Sequence, residues 1–291
     1  MSMKLAVVTD ELSQDFAHAC QIASREFGMG FVELRSLWNK NIVNLDAKEI
    51  AEVHRILQSN NLRVIAITGP LFKVDWPNAP KSKFSVERDQ FGADFTFDQQ
   101  DEVLERSLAL AKEFNTDRVR CFDFWRLDDP LPYRAAMYQK LLDAATTAGK
   151  KNVTLVLENE HACNTATAAE SAETLKAVPS PYFMLNWDPG NAAMRGETPY
   201  PGGYNLLPKD RIGHCHCKDV IKSSNGEYKW ECIGRGAIDW VGQIRALKND
   251  GYRHAISLET HWRGAGTPEE STRLSWAGMK EKLQKAGALD S

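Results

Sequence analysis

No apolar run in this sequence approaches the roughly 18 residues that would cross a bilayer, so no membrane-spanning helix is expected. The opening MSMKLAVVTD lacks a long apolar stretch and a small-residue cleavage site. It reads as a first strand rather than a signal peptide, and a cytoplasmic location is the expectation. Cysteine is sparse: Cys20, Cys121, Cys163, Cys215, Cys217 and Cys232 are the six present, and none forms a CxxC pair. A chain of 291 residues buries a self-sufficient core, so these thiols read as reduced and buried rather than as a disulfide framework. Basic residues are not in excess either. A net charge of −3 and a pI near 6.2 give no electrostatic footprint for nucleic acid. Low-complexity tracts and Pro-, Gly- or Ser-rich linkers are also missing, which points to a single domain over residues 1–291.

What is present is a repeat. Apolar runs of strand length recur as LAVV (5–8), FVEL (31–34), RVIAIT (63–68), RVRCF (118–122), VTLVLE (153–158), YFMLNW (182–187), RIGHCHC (211–217) and AISLE (255–259). Continuous rather than alternating apolarity fits strands buried on both faces of a parallel sheet. The intervening segments have helical periodicity: Phe16, Cys20, Ala23 and Phe27 share one face of the first. Asp46 with Glu49, and Thr167 with Glu170, are spaced as capping boxes. Thr267, Pro268 and Glu270 open the last helix as N-cap, N1 and N3. After the sixth strand a full helix is doubtful, because 195–209 contains three prolines and three glycines. Eight such units predict a (β/α)8 TIM barrel of the α/β class. A doubly wound open sheet is the alternative, but no GxGxxG follows the first strand.

Barrels place chemistry at the C-terminal ends of their strands. Four consecutive predicted strands end in possible metal ligands: Glu158 in LVLENE, Asp188 in LNWDPGN, His214 and His216 in HCHCKD, and Glu259 in SLETHW. One such carboxylate is commonly just a helix cap; four on neighbouring strands converge. Alternation along the seventh strand puts His214, His216 and Lys218 on one face and Cys215, Cys217 and Asp219 on the other. The histidines and cysteines therefore cannot surround one ion, and the cysteines read as small apolar residues under the helices. His216, nearer the strand end, is the better ligand; His214 lies deeper. Three carboxylates and one imidazole make a hard site suited to Mn2+, with Mg2+, Co2+ or Zn2+ as alternatives. Such an ion could chelate a carbonyl and adjacent hydroxyl and stabilise an enediolate, while two carboxylates move protons.

The ordered motifs FVELR, PLFK, LENE, DPGN, HCHCKD, GRGAIDW and LETHW resemble the xylose isomerase-like TIM-barrel superfamily. The resemblance is to its sugar phosphate isomerase/epimerase group, which includes ketose 3-epimerases and inosose dehydratase-like proteins. It implies a metal set of Glu158, Asp188, His216 and Glu259, with Glu158 and Glu259 also the acid/base pair. It implies a small carbohydrate substrate, with an inosose dehydratase-like lyase, an apurinic endonuclease-like nuclease or a non-catalytic sugar-binding barrel as other readings. The ketose epimerases have His three residues after the strand-six Asp; here that position is Asn191, which can bind a hydroxyl but is no equivalent proton donor. The endonucleases carry further histidines, so Asn191 and the acidic charge balance stand against them. Arg235 of GRG matches a substrate-contacting arginine, or is a solvated loop charge. Glu33 and Arg35 could form a rim salt bridge or touch substrate. Lys73 opens a long loop, 69–95, that could act as a lid. Either Arg120 or Asp123 points inward on strand four. Trp125 could stack on a sugar, as could Trp187, Trp230 and Trp262, though tryptophans are more often core. Arg126, Arg195, Lys218, Arg235 and Arg263 could bind phosphate, but no phosphate-cradling glycine loop is evident, so phosphorylated and free substrates stay open. A homo-oligomer is compatible with the sequence.

Overall fold

The computed structural model describes residues 3–85 and 94–289. Each of the eight apolar runs forms a strand: β1 (Lys4–Val8), β2 (Phe31–Leu34), β3 (Arg63–Ile67), β4 (Arg118–Cys121), β5 (Thr154–Glu158), β6 (Phe183–Trp187), β7 (Ile212–Cys217) and β8 (Ala255–Leu258). They close in chain order into one barrel, β1 pairing in parallel with both β8 and β2. Helices α1 (Phe16–Gln21), α2 (Ala47–Ser59), α3 (Gln100–Glu113), α4 (Leu131–Gly149), α5 (Ala168–Ala177), α6 (Pro189–Met194), α7 (Trp240–Asn249) and α8 (Pro268–Lys285) lie outside. The protein is a (β/α)8 TIM barrel.

Local chemistry accounts for the helix starts. Asp46 and Glu49 form the reciprocal capping box of α2, and Thr167 and Glu170 that of α5. Thr267 caps α8 ahead of Pro268. Helix α6 is short, and the chain beyond it, with its three prolines and three glycines, forms only short helical turns at Pro199–Gly203, Tyr204–Leu206 and Lys209–Arg211. Two small antiparallel pairs carry no clear sequence signal: Ser36–Leu37 with Lys40–Asn41, and Asp219–Lys222 with Tyr228–Glu231. Among the described residues no helix is long and apolar enough to cross a membrane. The loop 69–95 includes residues 86–93, which lie outside the described residues.

The barrel interior is polar towards its C-terminal end. Glu33, Arg120, Glu158, Asn186, His214, His216 and Ser257 are all buried. Register irregularities set their heights, one between Val32 and Glu33 and one between Leu185 and Asn186. Gly213 lies opposite the second, where a Cβ would come 2.8 Å from the Met184 Cβ, so only glycine allows that approach. On β4 the open choice resolves in favour of Arg120, which points inward to Glu158. Asp123 turns outward and accepts hydrogen bonds from the Thr165 N–H at 2.9 Å and the Thr165 hydroxyl.

Cys215 and Cys217 belong to the main apolar core, and burial holds both thiols well above the ordinary cysteine range. They stay protonated and are poor metal ligands. Replacing both with Ala should cost about 0.5–3 kcal/mol of stability and leave divalent-ion stoichiometry unchanged, measured by elemental analysis and urea denaturation. Loss of a stoichiometric ion would mean that β7 is paired one residue out of register.

Burial pushes the Asp123 carboxyl up to about 7, its two Thr165 hydrogen bonds offsetting only part of the cost. In the unfolded chain the group titrates near 4, about its reference value, so folding takes up a proton between those values. The stabilisation is complete below the window and is lost as pH rises through about 7. Asp123→Asn should therefore gain stability relative to the parent as pH goes from 5 to 8. Urea midpoints that differ by a constant amount across that range would contradict this.

Candidate active site

The strand ends bring Glu158, Asp188, His216 and Glu259 together: each offers one ligand atom, and these atoms lie within 4.8 Å of one another. All four are buried. His216 Nδ1 is 2.8 Å from Glu259 Oε2, 3.5 Å from Glu158 Oε1 and 3.8 Å from Asp188 Oδ2. Lys218, fully buried on the same face of the chain as His216, adds a fifth group. Its ammonium lies 2.6 Å from Glu259 Oε2, 2.7 Å from Asp188 Oδ2 and 3.1 Å from Glu158 Oε1.

These contacts set the protonation states. Burial opposes the charge on Lys218, but Asp188, Glu158 and Glu259 together hold its pKa well above the usual lysine range. Burial likewise acts against charge on Glu259, yet Lys218, His216, His261 and Arg35 keep it well below the usual carboxylate range. Glu158 is also lowered, with Lys218 the largest influence opposing its burial. Asp188 is raised, because its burial outweighs Lys218.

The donor set fits a divalent cation. Asp188 Oδ2, His216 Nδ1 and Glu259 Oε2 are buried without a well-directed hydrogen bond, although Lys218 is close to both oxygens. The three N–H groups of a lysine lie on one cone about its Cε–Nζ bond, and here it compensates their charge without a well-directed bond to either oxygen. A spherical cation has no such restriction. An ion drawing on those oxygens would share them with Lys218, whose flexible stem would have to yield.

Two arginines brace the carboxylates. Arg120 Nη1 donates to Glu158 Oε2 at 3.0 Å and Nη2 to the Thr68 carbonyl at 2.6 Å. Arg35 donates to Asp10 Oδ2 and Glu11 Oε1, each at 2.9 Å, and to Glu259. Further out, Glu160 accepts from His161 and pairs with Lys73, while Glu11 holds His261 and Arg263. His261 adopts a left-handed φ of 53°, a strained backbone for a bulky residue. Its N–H to Glu11 Oε2, 3.1 Å, fixes it there. The carboxylates of Asp10, Glu11, Glu33, Glu158, Glu160, Asp188 and Glu259 outnumber the cations Arg35, Lys73, Arg120, Lys218 and Arg263 by two. Glu33, Glu259 and Glu158 hold the His216 imidazole well above the ordinary histidine range against its burial, so it offsets part of that excess.

The other sequence candidates fall at different depths. Asn191 reaches the cluster, its Nδ2 donating to Glu158 Oε1 at 3.1 Å. Glu33 and Arg35 share a strand face but do not form the rim salt bridge considered from sequence. Glu33 is fully buried and gives one oxygen to His214 Nε2 (2.6 Å) and the other to His216 Nε2 (3.2 Å). His214 is thus paired beneath the cluster, with Ser257 Oγ 3.1 Å away. Trp125 is buried in a side cluster with Phe122, Ala162 and Cys163, with the Lys73 ammonium 5.4 Å from its ring centre. Arg235 is exposed. The glycines on either side of it are structural, since Gly234 and Gly236 donate their N–H groups to Asp219 Oδ2. Glu11, Glu160, His161 and His261 carry no motif that singles them out in the sequence. Their one signal is position, since each lies within a turn of a barrel strand's C-terminal end.

The model of the xylose isomerase-like TIM barrel family matches residues 22–282. The chain belongs to that family. A relative, the putative L-ribulose-5-phosphate 3-epimerase SgbU of Escherichia coli K12, is 23% identical over 193 residues, which is 65% of this chain and 67% of that protein. Among solved structures, the probable 3-DHS dehydratase AsbF of Bacillus anthracis aligns with a TM-score of 0.69 at 19% identity, over 96% of this chain and 98% of that one. A xylose isomerase-like TIM barrel protein from Mycobacterium smegmatis, in complex with magnesium, gives a TM-score of 0.69 at 16% identity, over 99% and 98% of the two chains. At such identities these structures establish the common fold.

In this member of the xylose isomerase-like family, Glu33 is placed to orient the ring of His216. If Glu33 accepts the Nε2 hydrogen bond, Nδ1 is left unprotonated, its lone pair free to ligate an ion among the carboxylates, the arrangement in which a second carboxylate sets a ligand's tautomer. Glu33→Gln should lower affinity for Mn2+ by about 10–100-fold in calorimetric titration, with the circular dichroism spectrum unchanged. Unaltered affinity would show that packing and Asn186, 3.2 Å from His216 Nε2, suffice.

Proposed function

We propose that the protein is a cytoplasmic, divalent-metal-dependent isomerase or epimerase. It would act on a small sugar, keto-sugar or sugar phosphate through an enediolate, with Mn2+ as the ion and Glu158 and Glu259 as the proton-transfer pair. The observation that supports this reading most is the convergence of three carboxylates and one imidazole, with their unsatisfied buried atoms, at the end of one barrel. When bound there, the ion supplies Lewis-acid polarisation of a substrate carbonyl.

The residues of the chain do the rest. Glu158 and Glu259 leave the barrel from β5 and β8, with Asp188 and His216 contributed between them by β6 and β7. A substrate carbon over the cluster is therefore flanked by a carboxylate on either side, one to take a proton and one to return it. Their lowered pKa values leave the carboxylate that takes the proton ionised, as a base requires; its partner returns a proton only after it has itself taken one up from solvent. Lys218 contacts both and is oriented to donate to an oxygen on which negative charge develops. Arg120 and Arg35 hold the two carboxylates in place.

Glu158→Gln and Glu259→Gln keep side-chain shape but remove the base. Each should lower turnover by about 10²–10⁴, the usual span for acid–base catalysis, and solvent deuterium exchange beside the substrate carbonyl should fall with it. Exchange at the parental rate in both variants would show that the proton passes elsewhere.

A further inference from the structure

We infer that this site takes an uncharged polyhydroxy carbonyl compound, with Trp230 as the surface on which its carbon chain lies, rather than a phosphate ester or a carboxylate. The inference rests on the reading of the cluster as a sugar site and adds the substrate's charge class.

The first observation is how the basic groups around the cluster are held. Lys73 Nζ is 3.5 Å from Glu160 Oε2, and His161 Nδ1 is 2.8 Å from Glu160 Oε1. His261 Nδ1 is 2.9 Å from Glu11 Oε1, and Arg263 Nη2 is 3.0 Å from Glu11 Oε2. One buried glutamate thus occupies two basic groups on each side. A phosphate approaching either pair would face a buried carboxylate as well as the cations that carboxylate already neutralises. Like charge at that separation in a poorly hydrated site costs several-fold more than in water.

The second observation is Trp230, carried on the Tyr228–Glu231 arm of the hairpin that follows β7. Its ring centre lies 5.4 Å from that of His261 and 5.9 Å from that of His161, so it spans the two glutamate-held pairs. The Lys218 ammonium, at the centre of the carboxylates, is 5.6 Å from the same ring. Trp230 is only partly buried, and an apolar face flanked by hydrogen-bonding edges is the surface that suits the C–H and O–H groups of a sugar. The indole offers a phosphate one neutral N–H donor and no countercharge.

The test compares matched pairs on Mn2+-loaded protein: L-ribulose with L-ribulose 5-phosphate, and D-fructose with D-fructose 6-phosphate, together with a keto-inositol. Binding is read by calorimetry and enolisation by solvent deuterium incorporation. The free compounds should bind at least tenfold more tightly than their esters. Trp230→Ala should weaken that binding about tenfold or more with ion content unchanged, and Trp230→Phe should restore most of it. Esters that bind as well as or better than free sugars overturn the inference, as does a panel in which nothing binds, or parental binding in Trp230→Ala. Tight binding of free sugars without deuterium exchange in any of them leaves this inference standing and counts against the enolising function instead. Exchange confined to the esters does the reverse.

Discussion

A lysine ammonium buried among three carboxylates sets the terms for the rest of this molecule. Taking each charge out of water costs several kcal/mol even after relaxation. A contact near 3 Å returns about 5 kcal/mol at an effective dielectric of 20. Only a group with several such contacts can break even, as most of the charges here do. Lys218 has three carboxylate partners. Glu158 has Lys218, Arg120 and Asn191, and Arg35 spans Asp10, Glu11 and Glu259. The consequence is rigidity. Turning a member away strands a buried charge, so Lys218 yields only to a cation that takes over its contacts with the carboxylates.

The same requirement explains why so much of the fold was legible. Strands that deliver charge to one point must be apolar up to their ends, which is the pattern that marked all eight and their parallel closure. Two-residue periodicity separated His214, His216 and Lys218 from Cys215 and Cys217, because a strand in register leaves no other choice. What periodicity does not contain is height and partner. Glu33 and Arg35 alternate correctly onto the inner face, yet a bulge before Glu33 and the reach of an arginine send them to different neighbours. Arg120 and Asp123 could not be ordered, because the chain leaves the strand after Cys121 and alternation no longer holds. Residues on loops just past a strand, such as Glu160 and His261, act only through partners contributed by other loops.

HCHCKD shows how one strand serves two layers. Lys218 points in and completes the charge cluster; Asp219 points out and organises the loop that returns over it. Its carboxylate accepts the N–H groups of Val220, Gly234, Gly236 and Ile238, and burial still pushes its pKa up to about 6. A Cβ at Gly236 would come within 2.1 Å of Asp219 Oδ1, so the second glycine of GRG is a steric necessity. This anchoring fixes the segment directly after the Trp230 arm. The motif that suggested a substrate-contacting arginine thus works through backbone amides, and the aromatic ring it helps to position was indistinguishable in sequence from a core tryptophan.

The substitution at Asn191 has a similar resolution. In the ketose epimerases this position is a histidine, for which asparagine is no equivalent proton donor. Asn191 instead bridges: its Nδ2 donates to Glu158, while its Oδ1 is 3.0 Å from His161 Nδ1. Since Oδ1 only accepts, the proton of that hydrogen bond lies on His161, whose pKa Glu160 and Asn191 raise against the effect of burial. The imidazole has therefore not left the neighbourhood. It is supplied from the loop after β5 rather than the turn after β6, one side chain removed from Glu158. His161 reaches Glu158 only through an uncharged amide, so the ionised state of Glu158 rests on Lys218, His216 and Arg120 acting against its burial.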